Sequence, residues 1–246
     1  MRAGYDFEPP LNPFEQDLRR ADRSFDGAQV YTLSYGPDIN LSMPDWTAEQ
    51  SLDAARKLNW YSPYLVPFSF SSPFAAGAIW PGHSKRTFER AACRPAVKLF
   101  LGPADLPEWA PRSRLIAPAR LPGEAGRIEY KAFDATPSLD LLIACCHLLE
   151  GVCLADDLPA RGEETDLALY RQGAVNGFAD TAIRAGSNEV LSKARTALFK
   201  AGRAETVAAL APLERLLAAR RTPAHDLLRA YRETALMYQR GGQRAT

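Results

Sequence analysis

The chain has 246 residues, 46% of them apolar, with a formal net charge of +1. That length and apolar share suffice for one large cored domain or two small ones, and they exclude a chain disordered throughout. The near-neutral balance argues against a nucleic-acid surface, leaving open only a local basic patch.

No run of about 18 apolar residues occurs, and no basic-then-apolar leader opens the chain. The expectation is a soluble, cytoplasmic protein with no membrane partner. The four cysteines, Cys93, Cys145, Cys146 and Cys153, suggest no disulfide framework, which fits a reducing compartment.

In chain order, residues 1–27 read as a lead-in, loose and proline-rich at first, with a short helix over 13–23. Residues 28–35 predict a strand, broken by Gly36-Pro37. Asp38-Ile39-Asn40-Leu41-Ser42-Met43 alternates strictly, with Asp38, Asn40 and Ser42 on one face and Ile39, Leu41 and Met43 on the other. Pro44 stops that strand. Thr47 and Gln50 form a capping-box pattern for a helix to about Trp60.

Residues 61–74 carry three prolines among aromatics, which predicts a buried, kinked segment rather than a helix interior. Residues 75–86 predict a loop. Its glycines, Ser84, Lys85 and Arg86 suit either an anion or an ordinary exposed turn. Residues 94–101 predict a further strand, and 102–126 a proline-rich surface connection with a short strand over 114–117.

Residues 127–134 then predict the central strand. Ile128, Tyr130 and Ala132 point one way; Arg127, Glu129, Lys131 and Phe133 point the other. Helical patterns follow over 136–154, with Thr136-Pro137 as N-cap and first residue, and then over 163–185, 188–201, 204–221 and 223–240. Strands first and helices last predict an α+β fold in one domain, mostly strands over 28–134 and helical over 135–246. The sheet is expected to be curved and mainly antiparallel, with a polar concave face packed by helices.

Chemistry narrows by exclusion. No Walker loop, no dinucleotide-binding glycine motif and no nucleophile elbow occurs. The three histidines, His83, His147 and His225, form no recognisable nucleophile arrangement. Cys145-Cys146-His147 with Cys153 lacks the paired spacing of a zinc site and lies in an apolar helix, where cysteines are ordinarily core residues. What remains is oxygen chemistry on strands. Glu129 and Asp38 are hard ligands suited to Mg²⁺, Lys131 can meet a phosphate, and Arg86 can clamp an anion. The alternative is an internal ion pair of Glu129 with Lys131 or Arg127, and spacing alone favours it.

Three segments also resemble the glutamate–cysteine ligases, carboxylate–amine ligases of the glutamine-synthetase-like fold. Gly36-Pro37-Asp38-Ile39-Asn40-Leu41-Ser42-Met43-Pro44 resembles that family's Gly-x-His-x-His/Asn strand. Ser69-Phe70-Ser71-Ser72-Pro73-Phe74 with Gly82-His83-Ser84-Lys85-Arg86 resembles its Ser-x-x-Ser-Pro-Phe … Gly-Tyr-x-Ser-x-Arg region. Ile128-Glu129-Tyr130-Lys131-Ala132-Phe133-Asp134 resembles its x-Glu-x-Arg-x-x-Asp strand, and the three come in the family's order.

The resemblance implies ATP and Mg²⁺ as cofactors, and glutamate plus an amine acceptor such as cysteine as substrates. It implies Glu129, Asp38 and Asn40 at the metal, and Lys131 and Arg86 as catalytic and nucleotide-facing cations, with Ser84 beside the nucleotide. The chain departs from the family pattern in having Asp38 for a histidine, Lys131 for an arginine and no Glu-x-Glu strand. The resemblance therefore also admits a partner chain that supplies that strand, or a non-catalytic relative that binds a small acidic ligand or a protein.

Overall fold

The structure, a computed structural model, describes residues 36–43, 45–75, 77–90, 95–99, 128–136 and 138–242. The expected helix over 13–23, the strand over 28–35, the connection over 102–126 with its short strand, Arg127 and Cys93 lie outside the described residues. Among those described, the fold is α+β with helices far outnumbering strands.

The alternation at Asp38–Met43 produces strand β1 (Ile39–Leu41). Ile39 is buried, while Asp38, Asn40 and Ser42 are exposed. Helix α1 (Ala48–Leu65) opens on the expected capping box: the Gln50 amide donates to Thr47 Oγ1 at 3.2 Å and the Thr47 amide to Gln50 Oε1 at 2.8 Å. The helix does not stop at Trp60. It continues through Pro63 to Leu65 and tightens into a 3₁₀ turn, Val66–Ser69. A proline inside a helix costs about 3 kcal/mol. Here it sits in the last turn, and Leu65, Val66 and Phe68 beside it are fully buried, each contributing about 1.5–3 kcal/mol. Burial wins over propensity.

The described part of residues 75–86, expected to be a loop, lies instead in a short hairpin and the start of a short helix. The hairpin pairs β2 (Phe74–Ala75) with β3 (Ala78–Ile79) around Gly77, whose positive φ of 80° suits glycine. Helix α2 (Lys85–Arg90) follows, with its first turn held by Ser84 Oγ, which accepts from the Thr87 amide at 2.9 Å.

Strand β4 (Ile128–Tyr130) pairs antiparallel with β1, setting Asn40 opposite Glu129 and Ile39 opposite Tyr130. On the other edge of β4, Val97 bridges Tyr130, and the Lys131 amide donates to the Ala96 carbonyl at 3.0 Å. That bridge is all that the strand expected over 94–101 forms among its described residues. Asn59 on α1 holds it, accepting from the Val97 amide at 2.8 Å and donating to the Val97 carbonyl at 2.9 Å. Ile128, Tyr130 and Ala132, which share one face of the alternation, are buried, but so is Phe133, because the chain leaves the strand after Tyr130 and the period of two lapses.

The C-terminal half is helical, with boundaries that differ from expectation. Helix α3 (Leu139–Leu154) is capped by Ser138, whose Oγ accepts from the Leu141 amide at 3.1 Å, not by Thr136. The next break falls at Gly177 (φ 54°), between α4 (Leu167–Asn176) and a 3₁₀ turn, rather than at Gly186. Gly186 lies inside α5 (Thr181–Lys200), where a Cβ would stand 2.4 Å from the Tyr64 ring; its missing side chain lets α5 approach α1. Gly151 does the same at the α3–α5 crossing, against Ala194. The expected helix over 204–221 is divided into α6 (Ala204–Ala208) and α7 (Ala211–Ala218), with Pro212 in the first turn of α7. Helix α8 (Pro223–Gly242) follows. No described helix is long and apolar enough to cross a membrane.

The core runs between these layers, with Phe68, Phe70, Tyr130, Phe133, Tyr170 and Phe178 fully buried. Ser62 joins two of its phenols, at 2.7 Å from Tyr130 Oη and 2.5 Å from Tyr170 Oη. It ties β4 to α1 and α4 at a depth where an unpaired hydroxyl would be costly.

Candidate functional site

Three stretches far apart in sequence meet at the C-terminal end of β4. Arg86, from α2, reaches across the chain after β4. Its Nη1 donates to the Ala132 carbonyl at 3.1 Å and the Phe133 carbonyl at 2.9 Å, and Nη2 donates to the Lys131 carbonyl at 3.2 Å. Nη1 also stands 3.6 Å from Asp134 Oδ1, with both side chains buried. Asp134 Oδ2 accepts from the Ser71 amide at 3.0 Å and from Ser72 Oγ at 2.7 Å. Gly36 closes over this group; a Cβ there would lie 2.2 Å from the Phe133 oxygen and 2.5 Å from Arg86 Nη2. Burial pushes the Asp134 carboxyl upward, against the Ser71 amide, the Arg86 guanidinium and the Ser72 hydroxyl.

Beside it, at the end of β4 nearer the solvent, lies a second polar group. Lys131 Nζ stands 3.3 Å from Asp38 Oδ2 and 3.2 Å from Glu129 Oε2. The internal pair that spacing favours for Glu129 and Lys131 is therefore present, and Asp38 joins it from the paired strand. Asn40 faces Glu129 across the ladder and its Nδ2 donates to the Asp38 carbonyl at 3.4 Å. Glu129 is the least exposed of the ionic three.

The six expected site residues thus divide into two layers. Asp38, Asn40, Glu129 and Lys131 come together and meet solvent. Arg86 and Ser84 lie beneath. Arg86 is enclosed by backbone carbonyls, and Ser84 is fully buried, its hydroxyl shared with the α2 start and with Ser72 Oγ at 3.1 Å. The buried Arg86 Nε and Asp134 Oδ1 have no hydrogen-bond partner among the described residues. Among the described residues, no three His, Cys, Asp or Glu side chains are grouped to hold a metal ion. Cys145 and Cys153 are buried in α3; burial pushes the thiol of Cys145 upward and that of Cys153 up to about 12.

Two polar anchors do not stand out in the sequence. Asp134 closes the strand motif but gives no sign that it receives Ser71, Ser72 and Arg86 together. Lys57, flanked by the apolar Ala54, Ala55 and Leu58, is buried and donates to the carbonyls of Cys153 at 3.2 Å and Ala155 at 2.7 Å. It satisfies carbonyls at the end of α3 that the helix itself leaves open, and burial lowers its pKa. A lysine inside an apolar helical face is the signal that marks such a cap.

The turn carrying Ser84 and Arg86 is also tied to the C-terminal helix. His83 Nδ1 lies 2.8 Å from Thr222 Oγ1, its ring packs 4.8 Å from that of His225, and the Ala224 amide donates to the Phe70 carbonyl at 2.7 Å. Burial, followed by the neighbouring His225, holds His83 down at about 4.

This geometry sets limits on the chemistry. Asp38, Glu129 and Lys131 carry one net negative charge, so the exposed layer attracts a cation more than an anion. A divalent ion entering there would displace the ammonium from the carboxylates and free it for an anionic group. No family model, curated protein or solved structure is a match to this chain.

Proposed function

We propose that the chain is an ATP-dependent carboxylate–amine ligase of the glutamate–cysteine ligase type, forming a γ-glutamyl amide through an acyl phosphate. What supports the reading is the meeting of its three resembling segments: Gly36 against Arg86 and Phe133, Ser72 against Asp134, and Asp38 against Lys131. The β1–β4 pair then belongs to the curved antiparallel sheet of that fold, and the exposed layer to its polar concave face. Glutamate and an amine acceptor such as cysteine are the substrates, in the cytoplasm.

Two carboxylates and an amide are donors of the kind Mg²⁺ takes when nucleotide phosphates complete its shell. Glu129 and Asp38, with Asn40, would hold it, and the ion would neutralise phosphate charge during phosphoryl transfer. Lys131, released from its two carboxylates, faces a phosphate as a point charge. Arg86 acts as a positioning residue: it clamps three carbonyls after β4 and so fixes where Lys131 and Glu129 project. Ser84 positions Arg86 by capping α2.

Phosphate release that requires ATP, Mg²⁺, glutamate and an amine is the test. Glu129→Gln is expected to lower the rate at least about 100-fold while leaving the fold intact, as removing one charge-stabilising group typically does. A wild-type rate in that variant would sink the proposal. A second reading, a split ligase or a non-catalytic relative, draws on the ammonium already lying between the two carboxylates. In the split enzyme a partner chain adds the further metal ligands. Full activity from a monodisperse monomer contradicts both forms of it.

A further inference from the structure

Away from the β4 site, α5 and α7 flank an open groove of about 630 Å³. That is within the range of about 300–1,000 Å³ typical of small-molecule sites. Leu191 and Leu217 form part of its floor, and Arg184, Arg195, Arg220 and Asn188 its polar wall. Three arginines against Glu214 and the adjoining Asp180 leave a local excess of one positive charge. Arg195 is held across the groove by Glu214 at 3.4 Å. Arg184 gives one donor to the Phe178 carbonyl at 3.3 Å and lies close enough to Asp180 to help lower that carboxyl, while the other donors of its fork form no hydrogen bond among the described residues. Arg220 makes no side-chain hydrogen bond or ion pair among the described residues.

The backbone at Arg220 singles it out. Helices α5 and α7 end in the same way, the Arg203 amide returning to the Leu198 carbonyl and the Arg221 amide to the Leu216 carbonyl, both over a residue of positive φ. At the end of α5 that residue is Gly202 (φ 75°), as the conformation favours; at the end of α7 it is Arg220 (φ 52°), the only described non-glycine residue with positive φ. Arg220 thus occupies a position where glycine would be more stable, and it lines the groove.

We infer that the α5–α7 groove is a binding site for a small phosphorylated compound, its phosphate taken by the guanidinium groups of Arg184 and Arg220 with Asn188 beside them. Forked guanidinium groups suit phosphate oxygens better than isolated ammonium groups do. The site is separate from the nucleotide site proposed at β4 and contains no carboxylate pair for a metal.

Thermal denaturation with inorganic pyrophosphate in EDTA tests it, with citrate separating phosphate from carboxylate recognition and sodium chloride at matched ionic strength as control. Pyrophosphate is expected to raise the melting temperature beyond both. Arg220→Gly is expected to raise the ligand-free melting temperature by roughly 2–4 °C and to abolish the pyrophosphate shift. Arg184→Ala should also abolish it, whereas Lys131→Gln should retain it. A shift no larger than that of the salt control, one preserved in Arg220→Gly, or one lost in Lys131→Gln overturns the inference. A citrate shift equal to that of pyrophosphate overturns its phosphate selectivity.

Discussion

Arg86 shows at the residue scale how a side chain's partners can lie far outside its local sequence. An arginine in a glycine-containing loop suits either an anion or an ordinary exposed turn, and nothing in its neighbours points to buried carbonyls. The carbonyls it satisfies belong to residues 131–133, more than forty positions away. No local pattern encodes that pairing. Arg86→Met keeps much of the stem and leaves Asp134 buried without its cation. Loss of one partner of a buried pair costs about 3–5 kcal/mol, and urea denaturation should show a decrease of that order. His83 gives a second expectation. Its folded pKa of about 4 lies below the unfolded value of 6.5, so the unfolded chain binds the extra proton between them. Stability from this group is full above pH 6.5 and declines as pH falls toward 4, by at most about 1.4 kcal/mol per pH unit. The urea midpoint of His83→Gln should depend less on pH across that window than that of the wild type.

Elements were legible where the signal was local. The capping box at Thr47 and Gln50 starts α1, and the alternation at Asp38–Met43 makes β1 with its polar side out. Elements were misread where tertiary contact overrides local preference. Pro63 reads as a breaker, yet α1 passes through it because its neighbours are buried; Gly186 reads as a break, yet it lets α5 lie against Tyr64. The start of α3 discriminates between the two kinds of evidence. Thr136-Pro137 has the composition of a cap, but the hydroxyl that meets the Leu141 amide is that of Ser138. Ser138→Ala should therefore cost about 1 kcal/mol. Thr136→Ala, whose hydroxyl donates among the described residues to the Ser138 carbonyl at 3.2 Å, should cost less than half of that. Paired urea melts measure the difference.

On the scale of the whole molecule, the chain reads as strands followed by helices, and the described structure is α+β but dominated by helix from Ala48 onward. The candidate site was legible as a set, because Asp38, Asn40, Glu129 and Lys131 follow from two alternating strands once those strands pair in the register found. Its division into an exposed layer and a buried layer was not, since burial depends on which helix covers the end of β4. The functional proposal rests on that exposed layer receiving Mg²⁺ with nucleotide. A thermal-shift titration of the intact chain with Mg²⁺ and a non-hydrolysable ATP analogue tests this most directly. At about 100 times its dissociation constant the ligand should add roughly 2.7 kcal/mol, or about 5–10 °C in melting temperature for a chain of this size. The expected result is a shift that needs Mg²⁺ and disappears in Glu129→Gln. No shift, or an equal one in Glu129→Gln or without Mg²⁺, would contradict a metal–nucleotide site at β4.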